Sequence, residues 1–218
     1  VMATEFSFDY LRHDHSYKEP FTQYVDDYFT ANNINTVLIT VNNTENSLVD
    51  IPGFYNVNTP REEYSQKDYI AQLKKHLSKN KVQLFVAVDC FGLDENKIFD
   101  TVTFLDENYK LPAIILDNYT HSSQTLEQLS QQVSKKTDII IKANNEDLVI
   151  LADVQGADGY ICEDMNHNQY IQFTSDKKVP VYLHYDSPSM ESDIFMLTNF
   201  GEFNGAVVSQ YDGSFEKM

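Results

Sequence analysis

Eight short runs rich in β-branched and aromatic residues punctuate the chain, and between them lie longer stretches in which apolar residues recur at helical spacing. The runs are MATEFSF (2–8), NTVLITV (35–41), VQLFVAV (82–88), AIILD (113–117), DIIIKA (138–143), GYICE (159–163), VPVYLHY (179–185) and GAVVSQY (205–211). The helical stretches are 19–33, 65–80, 95–109, 122–136, 145–155, a short one near 168–176, and 190–200. Ser65 and Ser122 stand where helix start signals belong. Eight strands with a helical crossover after each of the first seven predict a compact (β/α)8 TIM barrel. A doubly wound open sheet is the competing α/β arrangement, but it calls for a glycine-rich first turn, and DYLRHDHSYKEP (9–20) contains no glycine.

A chain of 218 residues that is 42% hydrophobic, with 6 Pro, 7 Gly and no low-complexity stretch, is long enough to bury one substantial core. One domain spanning 1–218 is therefore expected. Its 33 acidic and 16 basic residues give a formal charge of −17, which repels phosphate backbones and anionic membrane surfaces, so nucleic acid is excluded as a partner class. No run reaches the roughly 18 apolar residues of a membrane span. The opening residues lack the basic, apolar, then small-residue order of a signal peptide, so the chain is expected to be cytoplasmic or to have had a signal removed. Cys90 and Cys162 sit inside strand-like runs with no Cys-x-x-Cys partner, and read as buried thiols.

In a barrel of this kind the active site lies at the C-terminal ends of the strands, so polar residues that end an apolar run point at the mouth. Read in order, those ends give Asp9, Asn42 and Asn43, Asp89, Asp117, Lys142 to Asn145, Glu163 and Asp164, His184 and Asp186, and Gln210 to Asp212. Carboxylates dominate the ring. Asp117 is the best placed, because the following helix has its own capping serines and does not need it as a cap. Two carboxyl groups across a cleft can divide acid and base roles when their surroundings push their pKa values apart, which is what cleavage of a glycosidic bond requires. Tyr10, Tyr119, Tyr185 and Tyr211 lie near the same ends and could stack on sugar faces.

The stretch FTANNINTVLITVNNTENSLVDIPGFYN (29–56) resembles the second-strand region of the bacterial glycoside-hydrolase-like barrels of cell-envelope proteins. FLDENYKLPAIILDNYTH (104–121) is similar to the segment of that family in which an aspartate ends the fourth strand, and GEFNGAVVSQYDGSF (201–215) to its last strand and turn. The resemblance implies that Asp117 is the family's fourth-strand aspartate and Tyr119 its tyrosine. It places Asn118 where the family has a second aspartate, and Pro112–Ala113 where it has glycine. The family's tryptophans have no counterpart, since the chain has none.

The reading this supports is a glycoside hydrolase of a bacterial envelope or extracellular polysaccharide, at the cell surface or outside the cell, working without a cofactor. Asp117 and Glu163 are the catalytic pair. Asp89, Tyr119, Asp164, His184, Tyr185, Asp186 and Tyr211 are substrate contacts. Three alternatives stay open. With Asn118 in place of an acid, the barrel could bind glycan without cutting it. His13 and His15, with His121, His184 and Asp212, could build a metal-dependent hydrolase site. QGADGYICED (155–164) resembles the sixth strand of flavin-binding barrels, although LHYDSPS (183–189) and SQYDGSF (209–215) are poor anion cradles. Lys142 would need a lowered pKa to act as a Schiff-base lysine, so pairing with a site carboxylate suits it better.

Overall fold

A computed structural model of the chain describes residues 2–6, 34–41, 68–144, 156–163, 167–175, 179–185 and 204–209. The strands are β1 (Met2–Phe6), β2 (Thr36–Thr40), β3 (Gln83–Asp89), β4 (Ala113–Asp117), β5 (Asp138–Asn144), β6 (Gly159–Glu163), β7 (Val181–Tyr185) and β8 (Ala206–Ser209). The described helices are α1 (Tyr69–Lys79), α2 (Glu95–Tyr109), α3 (Ser123–Gln132) and α4 (His167–Ser175). All eight strands pair in parallel and in chain order, and β8 returns to β1 through Met2↔Ala206 to Glu5↔Ser209, which closes the barrel. The open doubly wound sheet is thereby replaced. The helices expected over 19–33, 145–155 and 190–200 lie outside the described residues.

Two apolar clusters follow from the two-residue period of the strands. One gathers Ala3, Leu38, Phe85, Ala87, Ala113, Ile115, Ile140, Ile161 and Val207, with Tyr182 packed against it, and so draws on every strand: this is the barrel lumen. The other collects the intervening residues, such as Val37, Ile39, Val86, Val88, Ile114, Leu116, Ile139, Ile141, Cys162 and Leu183, together with Ile70, Leu77, Ile98, Leu105, Leu126 and Leu129 from the helices. It fills the layer between sheet and helices. Cys90 and Cys162 are buried in this outer layer as free thiols.

Helix ends are set locally. Asp94 accepts from the Lys97 amide (2.9 Å) and Ser122 from the Thr125 amide (3.3 Å), each as an N-cap. Helix α1 starts at Tyr69, capped by Asp68, which accepts from the Ala71 amide (2.9 Å); the start signal is this aspartate and not Ser65. At the lower end of the barrel, Asp106 of α2 accepts from the Ser134 amide (2.8 Å) and the Thr137 hydroxyl (2.6 Å), and Lys74 donates to the carbonyls of Tyr109 and Lys110. Gly156 has φ +101, and a Cβ there would stand 3.0 Å from the Glu127 amide nitrogen, so the approach of the chain to α3 requires glycine.

Candidate functional site

Following the lumen-facing residues upward by two places replaces the apolar lining with ionisable groups. Ala3 leads to Glu5, Ala87 to Asp89, Ile115 to Asp117, Ile140 to Lys142, Ile161 to Glu163 and Tyr182 to His184. Five of these converge. Lys142 Nζ lies 3.2 Å from Glu5 Oε2 and 3.3 Å from Glu5 Oε1, 3.2 Å from Asp117 Oδ2 and 3.1 Å from Glu163 Oε1. His184 Nε2 lies 2.9 Å from Glu5 Oε2, and its Nδ1 faces Glu163 Oε1 at 3.5 Å. The network joins β1, β4, β5, β6 and β7 across the C-terminal mouth, with Lys142 only 5% and His184 only 7% exposed.

An ammonium has three N–H donors, and here three carboxylates surround it. Burial alone would lower the lysine's pKa, but the charges of Glu5, Asp117 and Glu163 outweigh it and hold Lys142 above the ordinary lysine range. It stays charged at neutral pH. Burial also pushes the Glu5 carboxyl upward, yet the His184 hydrogen bond and the Lys142 charge together leave it below its usual value. Asp117 goes the other way: burial raises it, Lys142 offsets part of that, and the nearby Glu163 and Glu5 charges raise it further. One lysine thus sits among carboxyl groups whose proton affinities have been driven apart, with Asp117 made the better proton holder and Glu5 the firmer anion.

The sequence-predicted residues fall into four groups. Asp117, Glu163 and His184 are brought together in the network. Asp89 is at the same level, paired in register with Asp117, but its Oδ1 accepts from the Phe91 amide (3.0 Å) and from Asn118 Nδ2 (3.1 Å), which shapes the loop after β3. Tyr119, expected at the sugar-contacting mouth, is 1% exposed; its ring packs in the outer core and edge-on to His121, and its hydroxyl donates to the Ser122 carbonyl (2.9 Å). Its place is explained by packing. Asp164, Asp186 and Tyr211, with Asp9, Tyr10, His13, His15 and Asp212, lie outside the described residues, as does the side chain of Tyr185. The sequence reading misses Glu5, because its first run extends to Phe8 and ends on Asp9; the signal that finds Glu5 is the step of two from Ala3.

Asn118 has φ 51 and directs its amide to Asp89. Asparagine tolerates that left-handed backbone, and an aspartate in its place would set a second carboxylate against Asp89 where a donor is needed. His121 bonds the Leu93 carbonyl (2.9 Å) and faces Glu95 Oε1 at 3.8 Å, so it ties two loops together away from the His184 network. Among the described residues no group of three or more His, Cys, Asp and Glu is arranged to hold a metal ion; the ammonium of Lys142 occupies the centre of the carboxylate cluster. No helix among them is long and apolar enough to cross a membrane.

Comparison with solved structures bears on the frame that carries this network. The chain is similar to tryptophan synthase from M. tuberculosis, with a TM-score of 0.58 and 10% identity over 96% of this chain and 82% of that one. It is similar also to N-(5'-phosphoribosyl)anthranilate isomerase from Pyrococcus furiosus, with a TM-score of 0.53 and 11% identity over 97% and 91% of the two chains. The fold is a TIM barrel. At such identities the likeness concerns architecture alone, and neither of these proteins is a glycoside hydrolase. No family model matches the sequence, and no curated protein matches it.

Proposed function

We propose that this barrel is an enzyme performing general acid–base chemistry on a hydroxyl-rich, carbohydrate-type substrate, with Asp117 as the proton donor and Glu163 as its carboxylate partner. The observation that carries the reading is the convergence of both carboxyl groups on Lys142 at the barrel mouth, with the proton affinity of Asp117 raised. Within that class, the resemblance of the 29–56, 104–121 and 201–215 segments to envelope glycoside-hydrolase-like barrels favours cleavage of a bacterial envelope or extracellular polysaccharide, at the cell surface or outside the cell.

A second reading takes the site as a proton-transfer centre of a metabolic barrel enzyme, which moves hydrogen within a small sugar derivative without cutting a glycosidic bond. The ammonium lodged between the two carboxylates favours it, since that position is where a nucleophile would otherwise approach the sugar. Both readings are tested with purified protein against polysaccharide fragments and free sugars in deuterated water, alongside Asp117→Asn. Released reducing ends that fall by about 10²–10⁴-fold in the variant support glycosidic cleavage. Deuterium incorporation without chain cleavage supports the second reading. Turnover that survives Asp117→Asn at full rate overturns the role of Asp117 in both.

A further inference from the structure

His184 is held at both ends of its ring by glutamates from two different strands. On one side, from β1, Glu5 Oε2 lies 2.9 Å from Nε2; on the other, from β6, Glu163 Oε1 lies 3.5 Å from Nδ1. Lys142 from β5 touches both acids, and Asp117 from β4 is the lysine's third carboxylate partner. Glu5 is kept ionised by its surroundings, and a carboxylate can only accept hydrogen bonds. The hydrogen in the short contact must therefore sit on His184 Nε2. In the neutral ring that leaves the lone pair on Nδ1, and Nδ1 is the nitrogen turned toward Glu163.

We propose that His184 returns and removes the proton of Glu163 during turnover, and that Glu5 is the positioning residue which fixes the imidazole for that task. The inference rests on the acid–base reading of the site. In the step itself Glu163, having taken a proton from the substrate as the carboxylate partner of Asp117, gives it up: the Glu163 Oε1–H bond breaks and an Nδ1–H bond forms on His184, giving an imidazolium held between the Glu5 and Glu163 carboxylates. The reverse step reloads Glu163. Glu5 is fit for its role because Lys142 anchors it by both oxygens, so that its direction toward Nε2 is set from a second side.

The first test needs no substrate. Nitrogen-15 spectra of the full chain with labelled histidine, assigned with His184→Asn, are expected to show hydrogen on Nε2 and a bare Nδ1 in the neutral ring. In Glu5→Ala the two tautomers mix and the two nitrogen signals converge; in Glu5→Gln, whose amide oxygen can still accept from Nε2–H, the wild-type pattern returns. Hydrogen on Nδ1 in the wild type, or an unmixed pattern in Glu5→Ala, overturns the proposal. Should Glu5→Ala fail to fold, the wild-type tautomer decides. The second test is kinetic: His184→Asn lowers kcat by about 10²-fold with little change in KM, whereas an unchanged kcat overturns the relay. Turnover that depends on Asp117 in a chain whose His184 carries Nδ1–H sinks this proposal and leaves the acid–base reading standing. No turnover of any sugar sinks the acid–base reading, and the relay with it.

Discussion

At the lower end of the barrel, Asp106 meets the Ser134 amide and the Thr137 hydroxyl, while at the mouth Asp117 meets the ammonium of Lys142. Both are largely buried acids, one on helix α2 and one at the end of strand β4, yet they are satisfied by different means. Neutral donors fixed by the backbone hold Asp106 in one arrangement and ask nothing of its neighbours' charge. The acids at the mouth share one lysine, so each depends on the ionisation of the others. An acid that joins a helix to a loop is served well by the first kind of burial. Chemistry needs the second, because only there does moving one proton change the affinity of the next group for its own.

The contrast is broken most severely by removing the shared cation. Lys142→Met leaves three carboxyl groups facing one another in a site with little solvent, and is expected to cost about 3–5 kcal/mol, read as a fall in the chemical-denaturation midpoint. Raising the pH sharpens the same point. A lysine held above its ordinary pKa contributes stability in full below about 10.4 and loses it as pH climbs toward the raised value, so wild-type stability should drop steeply in that alkaline range. Lys142→Met should lose the lysine's share of that drop and keep only the share of Tyr109, Tyr119, Tyr160 and Tyr182, whose burial also raises their pKa. If the variant is as stable as wild type at neutral pH, the mouth does not depend on its cation.

A smaller effect is expected at the other end. Asp106→Ala strands the Ser134 amide, while the Thr137 hydroxyl keeps the Leu111 carbonyl and the Ser134 hydroxyl, at about 1–3 kcal/mol, and should leave the alkaline drop in place. Disappearance of that drop in Asp106→Ala would mean that the two ends are coupled. Smaller again is Ser122→Ala, which removes the cap of α3 at about 1 kcal/mol. Since Ser122 also holds the Tyr119 hydroxyl through its carbonyl, which the substitution keeps, the loop after β4 should stay in place and turnover should be unchanged.

The strands were the most legible part of the molecule. Six of the eight runs contain the strand observed, and β3 and β5 pass theirs by one residue, to Asp89 and Asn144, because apolar β-branched stretches bounded by polar residues leave little choice of register or period. Helix starts were less so: Ser65 and Asp68 are equally good caps in composition, and only the position of the Ala71 amide separates them. In the site, Asp117 and Glu163 end their strands and are found by inspection. Lys142 and His184 are found by asking what could pair with them. Glu5 was hidden because it lies inside MATEF, where a lone acid in a short alternating run reads as the solvent face. Tyr119 misled for the opposite reason, since a position after the strand does not say whether the ring turns toward the mouth or back under the helices.

The two buried thiols turn the wall of the barrel into something that can be timed. Cys90 follows β3 and Cys162 lies in β6, so they sample separate arcs of the closed ring, and both are packed on the side that the helices cover. Burial raises the Cys90 pKa far above its usual value, which keeps it unreactive while that layer is shut. Each thiol therefore meets an alkylating reagent only when its own stretch of the helical coat lifts away, and the two rates give the opening frequency of each arc. Equal rates would describe a wall that parts all at once; unequal ones would name the arc that yields first.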